Sequence, residues 1–335
     1  MPTATANGST AAWNKRKALR VKRAMADMTM IHGGGSRAAR AAEFKGAGFY
    51  DRAKQDVGNI VSFEHLNVEV PDQQLATSFY VTAMGFTRDP YIITALSNMW
   101  INIGRTQVHM PVGDPMVLRG HTGIIVPDLD ALAKRLETVK MRPEWSLLKK
   151  SKFKWQRGRG FIEAVCPWGN VYRCYQAGPQ HKPLTLAILY IEFDVPTGTA
   201  DGIARFYREA LQAKAAARGG VARVDCSGGQ SMVFRETARK LPLYDGHHVQ
   251  VYIANFSGPH NWLLDRGLVT EESDDWQYRF EDIIDPKTGE KLFMIEHEIR
   301  SMTHPLYARG LVNRDPFTTN RNYVPMHEAL TWTAR

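Results

Sequence analysis

FEHLNVEVPD, residues 63–72, decides how this chain folds. Leu66, Val68 and Val70 alternate with His65, Asn67 and Glu69, the period-two pattern of a strand with one apolar and one polar face. Pro71-Asp72 then stops the strand, and Asp72 stands where it can cap a following helix. In that helix Leu75, Phe79, Ala83 and Met84 fall at helical spacing, and Gly85 closes it. Strand-like runs follow at 100–103 and 106–110.

The same order recurs three more times. Thr122, Ile124 and Val126 alternate with His121 and Ile125 before Pro127-Asp128 opens a helix over 129–139. Further strands follow at 161–165 and, after the turn 167–170, at 171–175. Ile191, Phe193 and Val195 oppose Tyr190, Glu192 and Asp194, and Ile203, Phe206, Tyr207 and Leu211 mark the next helix. Val249, Val251 and Ile253 oppose His248, Gln250 and Tyr252, with a helix near 261–266 and a last strand at 291–298. The matched positions His65, His121, Tyr190 and His248 lie 56, 69 and 58 residues apart, an internal repeat of four degenerate copies. In each copy the apolar face packs under the unit's helix and the polar face looks into a concavity. The expected fold is therefore α+β, four strand–helix–three-strand modules paired in chain order. A basic N-terminal tail would cover 1–58, one domain 59–178, a second 186–300, and a C-terminal extension 301–335; 177–186, with Pro179 and Pro183, reads as the linker.

Composition agrees with a globular chain. Of 335 residues 44% are hydrophobic and 23% charged, and no run approaches the ~20 apolar residues that span a bilayer. Cys166, Cys174 and Cys226 are odd in number and lack CxxC spacing, which argues against a disulfide framework and against structural zinc. The net charge is +9, but residues 1–42 hold eight basic side chains against one acid, Asp27, so +7 of it lies in the tail. No aromatic interleaving accompanies that charge, so nucleic-acid binding is not expected. An Ala-, Ser- and Arg-rich, acid-poor tail reads either as an organellar targeting segment or as a plain N-terminal extension, which places the protein in the cytoplasm or an organellar matrix. It could also tether the chain to a homo-oligomer or a larger assembly. The basic stretch 149–159 reads as a solvated loop.

The segments FEHLNVEVPD (63–72), FYVTAMGF (79–86), HTGIIVPDLDAL (121–132), CPWGN (166–170), IEFDVP…FYREAL (191–211), GHHVQVYI (246–253) and IDPKTGEKLFMIEHE (284–298) together resemble the vicinal-oxygen-chelate superfamily of glyoxalases, bleomycin-resistance proteins and extradiol dioxygenases. The resemblance covers roughly residues 60–300 and rests on the fourfold recurrence rather than on any one motif. It implies βαβββ modules paired into two glyoxalase/extradiol-dioxygenase-like domains, with a divalent metal in a cup and ligands on the first and last strands of modules. On that basis His65, His109 and His121 are the candidate ligands of an N-terminal cup, for Fe(II) first and otherwise Mn, Zn or Ni. Arg173 stands where the family commonly has Glu, and is a candidate for a substrate carboxylate, with Asn67 and Gln107 as further substrate contacts. The alternative, C-terminal cup would use His248 and Glu296, with Glu298 or His297 as substitutes and Tyr190 in place of the first His. His248, Tyr190 and, from the extension, His304 and Tyr307 are candidates for proton handling. The resemblance implies a metal-dependent enzyme on a small oxygenated substrate, a ring-cleaving dioxygenase first. A glyoxalase-like isomerase or lyase comes second, and a metal-free binding or accessory subunit third.

Overall fold

The computed structural model describes residues 52–92, 97–316 and 318–323. The chain divides into the units Met1–Asp56 and Val57–Arg335. Of the first, only a 3-10 turn, Arg52–Gln55, and Asp56 are described, so the readings of the basic tail as a targeting segment or tether lie outside the described residues.

The second unit contains four modules in chain order. The first comprises β1 (Ile60–Asn67), α1 (Gln73–Thr77, continued by a π turn Ser78–Ala83), β2 (Thr87–Arg88), β3 (Asn98–Ile103) and β4 (Thr106–Pro111). The second comprises β5 (Gly120–Val126), α2 (Leu129–Thr138), α3 (Trp145–Leu148), β6 (Lys154–Gly158), β7 (Phe161–Val165) and β8 (Val171–Gln176). The third runs through β9 (Ala187–Pro196), α4 (Ala200–Glu209), β10 (Ala215–Arg218), β11 (Val221–Asp225) and β12 (Ser231–Thr237). The fourth runs through β13 (His248–Ile253), α5 (Ser257–Leu264), β14 (Val269–Asp274), β15 (Gln277–Ile284) and β16 (Lys291–Ser301). The predicted caps form: Asp72 accepts the N–H groups of Gln74 and Leu75, and Asp128 those of Asp130 and Ala131. Gly85, at φ +82°, ends the first helical segment. The basic stretch 149–159 is not simply a solvated loop, because it contains β6, the outer strand of its sheet, where exposed charge discourages edge-to-edge association.

The modules do not pair in chain order. One eight-stranded sheet runs β14-β15-β16-β13-β1-β4-β3-β2, joining the fourth module to the first; the other runs β10-β11-β12-β9-β5-β8-β7-β6, joining the third to the second. The grouping 59–178 with 186–300 is therefore not how the sheets are built. The cause is local. The connector after β8 stays within its own sheet, so β9 lies antiparallel beside β5, and the edge of β1 is left to β13. The other two connectors cross between the sheets and are tied together where the Val117 N–H donates to Asp245 Oδ2 at 2.6 Å.

Helices and apolar sheet faces share one core. Phe79 and Tyr80, from the first module, pack on Tyr172 of the second sheet, where the two buried phenols hydrogen-bond at 2.6 Å. Phe206 and Tyr207, from the third module, pack on Phe280 and His297 of the first sheet. The cups therefore lie on the sheet faces away from this core.

After β16 the chain straps across the polar face of the first sheet. Tyr307 meets the Tyr252 ring edge-on at 4.9 Å between centroids, Arg309 reaches Asp89 at 3.1 Å and Gln107 at 3.2 Å, and Asn313 bonds both backbone groups of Gly104. Asp89, whose side chain is 1% exposed, anchors this strap. Burial works to raise its carboxyl, but the N–H groups of Ile92 and Tyr91 and the Arg309 guanidinium outweigh it and hold the group below the usual carboxylate range. The stability it contributes is complete above its unfolded pKa of about 3.9 and is lost as pH falls through the lower folded value. Asp89→Asn should cost about 1.5–3 kcal/mol near neutral pH. In urea denaturation the gap between variant and parent should close below about pH 4.

Candidate metal centre

Antiparallel pairing sets His65 of β1 opposite Gln250 of β13 and Asn67 opposite His248; parallel pairing sets Gln250 beside Glu298 of β16 and His248 beside Glu296. Strand alternation then turns His65, His248, Gln250, Glu296 and Glu298 onto the same concave face. His65, His248 and Glu298, all buried, offer ligand atoms within 4.8 Å of one another. Donors at ~2.0–2.2 Å from one ion can lie at most about 4 Å apart, so a small inward adjustment would complete a centre. Among the described residues this is the one such group.

Each imidazole is held by a carboxylate on its Nδ1. His65 Nδ1 lies 3.3 Å from Glu64 Oε2, and His248 Nδ1 lies 3.0 Å from Glu296 Oε1. Glu64 is itself fixed by Arg300 Nη1 at 3.0 Å and by the Tyr252 hydroxyl at 3.2 Å. With Nδ1 spent as a donor, each ring turns Nε2 towards the shared space, the orientation that metal-bound histidines take. His65 Nε2 is buried and has no hydrogen-bond partner among the described residues. Burial drives His65 far below the ordinary imidazole range, so its ring is neutral. Burial also lowers His248, but the carboxylates of Glu296 and Glu298 outweigh it and raise this ring instead. Burial raises Glu298, yet the His248 hydrogen bond and the Arg300 charge overcome it and hold the carboxyl well below its usual range. Glu298 Oε1 lies 2.6 Å from Arg300 Nη2, and Oε2 lies 2.6 Å from Arg279 Nη2 and 3.5 Å from His248 Nε2. An ionised carboxylate has about four acceptor positions, so these contacts leave room for an ion.

The sequence-predicted residues divide between the two sheets. His65 and His248, expected in different cups, meet in one because their strands pair. Glu298 rather than Glu296 reaches between them, and Glu296 holds the far side of the His248 ring. His109 lies close by but has both nitrogens engaged, Nδ1 with Asn67 at 2.7 Å and Nε2 with Asn98 at 2.8 Å; it stacks on Trp100, and burial lowers it to about 2. Asn67 is thus committed to His109, and Gln107 to Asn102 and Arg309. His304 and Tyr307 sit on the strap against Tyr252, at the wall of the cup. His297, considered as a substitute ligand, points the other way, bonding Tyr207 at 2.6 Å and stacking on Phe280 in the core.

His121, Tyr190 and Arg173 are together in the second sheet, apart from His65. His121 Nε2 lies 3.0 Å from the Tyr190 hydroxyl and 3.2 Å from Arg173 Nη1, while Arg173 Nε donates to Glu163 at 3.0 Å. Tyr190 lies over Gly123, where an added Cβ would stand 2.2 Å from its ring. A guanidinium and a phenol thus occupy the positions that carry a carboxylate and an imidazole in the first sheet, and this cup does not gather a ligand set.

Four βαβββ modules now stand in two eight-stranded sheets, with a two-His, one-Glu cluster in one cup. This is the glyoxalase-like α+β arrangement that the resemblance implies. No protein-family model matches the sequence. No curated protein matches it either. Among solved structures the chain is similar to a candidate dioxygenase of Bacillus subtilis, at 15% identity and TM-score 0.49, over 72% of this chain and 86% of that one. Glyoxalase I from Zea mays gives 12% identity and TM-score 0.49, over 75% and 95%. The fosfomycin resistance protein FosX from Mesorhizobium loti gives 13% identity and TM-score 0.26, over 35% and 91%. Among the described residues no helix is long and apolar enough to cross a membrane.

The donor set of this cup fits a divalent metal: two imidazoles with Nε2 presented, one carboxylate, and a carboxylate behind each ring. Equilibrium dialysis with elemental analysis should give one equivalent of divalent metal for the parent and none for His65→Ala, His248→Ala or Glu298→Ala. Glu296→Gln should weaken binding about 10–100-fold, and His121→Ala should leave it unchanged.

Proposed function

We propose that this chain is a divalent-metal enzyme acting on a small oxygenated organic molecule, with His65, His248 and Glu298 holding the metal. The observation that carries this reading is the convergence of the three buried ligands from β1, β13 and β16, with Glu64 and Glu296 aiming the two rings. A set of two histidines and one carboxylate is the donor pattern of non-haem iron(II) oxygenases, which favours iron(II) over Mn, Zn or Ni and an oxygenase reaction, for which we propose ring cleavage by a dioxygenase. When bound, such a metal supplies Lewis acidity and one-electron redox chemistry.

The chain's own residues supply the rest. Arg279 and Arg300 grip Glu298 from both oxygens and fix its rotamer. Trp100 and Tyr252 line the cup with rings, and the strap lays Tyr307 and His304 against Tyr252, limiting entry of water. His304 accepts the Leu306 N–H at Nδ1, which leaves its proton on Nε2. Burial and then the Arg300 charge lower this ring below the ordinary range, so it is neutral near pH 7 and holds a proton on Nε2 that it can give at the cup wall. The second reading, a glyoxalase-like isomerase or lyase, shares the same ligand set and differs in using no oxygen.

Protein purified without chelators and loaded anaerobically with iron(II) should consume O₂ when given a catechol and yield a ring-opened product, and His248→Ala should abolish both. Metal uptake without O₂ consumption across a catechol panel would move the assignment to the isomerase or lyase reading. No metal uptake under any loading would sink both.

A further inference from the structure

Gln250 stands in the middle of the candidate metal centre. It pairs across the sheet with His65 on one side and Glu298 on the other, and shares its strand face with His248 two residues away. It is fully buried, at 0% exposure, yet neither Oε1 nor Nε2 has a hydrogen-bond partner among the described residues. Apart from the Nε2 atoms of His65 and His248, which face the metal position, the polar side chains around it are spent otherwise: Glu64 on Arg300 and Tyr252, Glu296 and Glu298 on Arg279, and Gln107 on Asn102 and Arg309. A buried amide left unsatisfied on both atoms costs stability, and native proteins retain such groups where something else completes them.

We propose that Gln250 is the substrate-positioning residue of this cup, its amide binding the polar head of the substrate beside the metal centre. The inference rests on the metal-enzyme reading above. It adds a chemical class for the ligand head. An amide donates from Nε2 and accepts at Oε1 on adjacent atoms, so its complement offers an acceptor and a donor side by side. The cup's guanidinium groups are each paired, Arg279 with Glu296 and Glu298, Arg300 with Glu64 and Glu298, and Arg309 with Asp89. No unpaired guanidinium among the described residues of this face stands beside Gln250, so the part of the head that its amide receives is neutral: a hydroxyl, a carbonyl or an amide.

The test uses full-length protein with Gln250→Met and Gln250→Leu, which keep the volume and remove the amide. Three readings are taken: metal content, thermal stability without ligand, and binding of catechol to the metal-loaded protein in the absence of oxygen. The expected pattern is unchanged metal content, a melting temperature equal to or above the parent's, and catechol binding weakened about ten- to a hundredfold. A purely structural amide would instead lower the melting temperature and leave catechol affinity intact, which overturns the proposal. Loss of metal in both variants would make Gln250 a support of the centre rather than of the substrate, and also overturns it. Unchanged metal, stability and catechol affinity would do the same while leaving the metal-enzyme reading standing. A parent protein that takes up no metal removes that reading, and this inference with it.

Discussion

The antiparallel seam between β1 and β13 is the contact on which the site depends. It joins residues 60–67 to residues 248–253, far apart in the chain, and brings the first and fourth modules into one sheet. Without it His65 would share no surface with His248 or Glu298. Closing so long a loop costs entropy, though the cost grows only slowly with loop length. Here it is offset by the buried faces of both strands, which contribute Ile60, Phe63, Leu66, Val249, Val251 and Ile253 to the core.

The polar face of that seam is an exercise in charge balance. Glu64, Glu296, Glu298 and Asp89 face Arg279, Arg300 and Arg309, and most of these groups are shared between two partners. Buried ions survive only when paired and hydrogen-bonded, so this network holds itself in one arrangement. With four carboxylates to three guanidiniums, the face has room for further positive charge, which is why the His248 ring is raised although it is buried. The second sheet has the same scaffold with the opposite chemistry. Arg173 and Tyr190 stand there, and His121 is lowered by burial and by Arg173 rather than raised.

Much of the site was legible as residues, and little of it as a site. His65 and His248 could be singled out because each lies on the polar side of a first strand, a local property of alternation. Their meeting could not be read, because strand alternation says which face a side chain takes and nothing about which strand lies next to it. Glu298 was one of two acids, with Glu296, on the same side of β16. Choosing between them needs the register against β13, and a shift of two residues leaves the sequence pattern unchanged. His109 passed every sequence criterion for a ligand, but Asn67 and Asn98 occupy both its nitrogens. Gln250 was legible only as a polar-face residue of its strand, since an unsatisfied amide is visible only once its neighbours are in place.

The sequence by itself determined the module: the strand, the Pro-Asp exit, the capped helix and the polar face, repeated four times. These follow from periodicity and capping, which act within a few residues. It also determined which side chains each strand turns to its polar face, His65, His121, Tyr190 and His248 on the first strands and Arg173 on β8 among them. Only the tertiary structure decided which modules share a sheet, and so which histidines share a cup. That choice is made by connectors and strand edges that compete over the whole chain. Four similar modules can pair in more than one way with equally good local patterns, and the seam between β1 and β13 is where this chain resolves the choice.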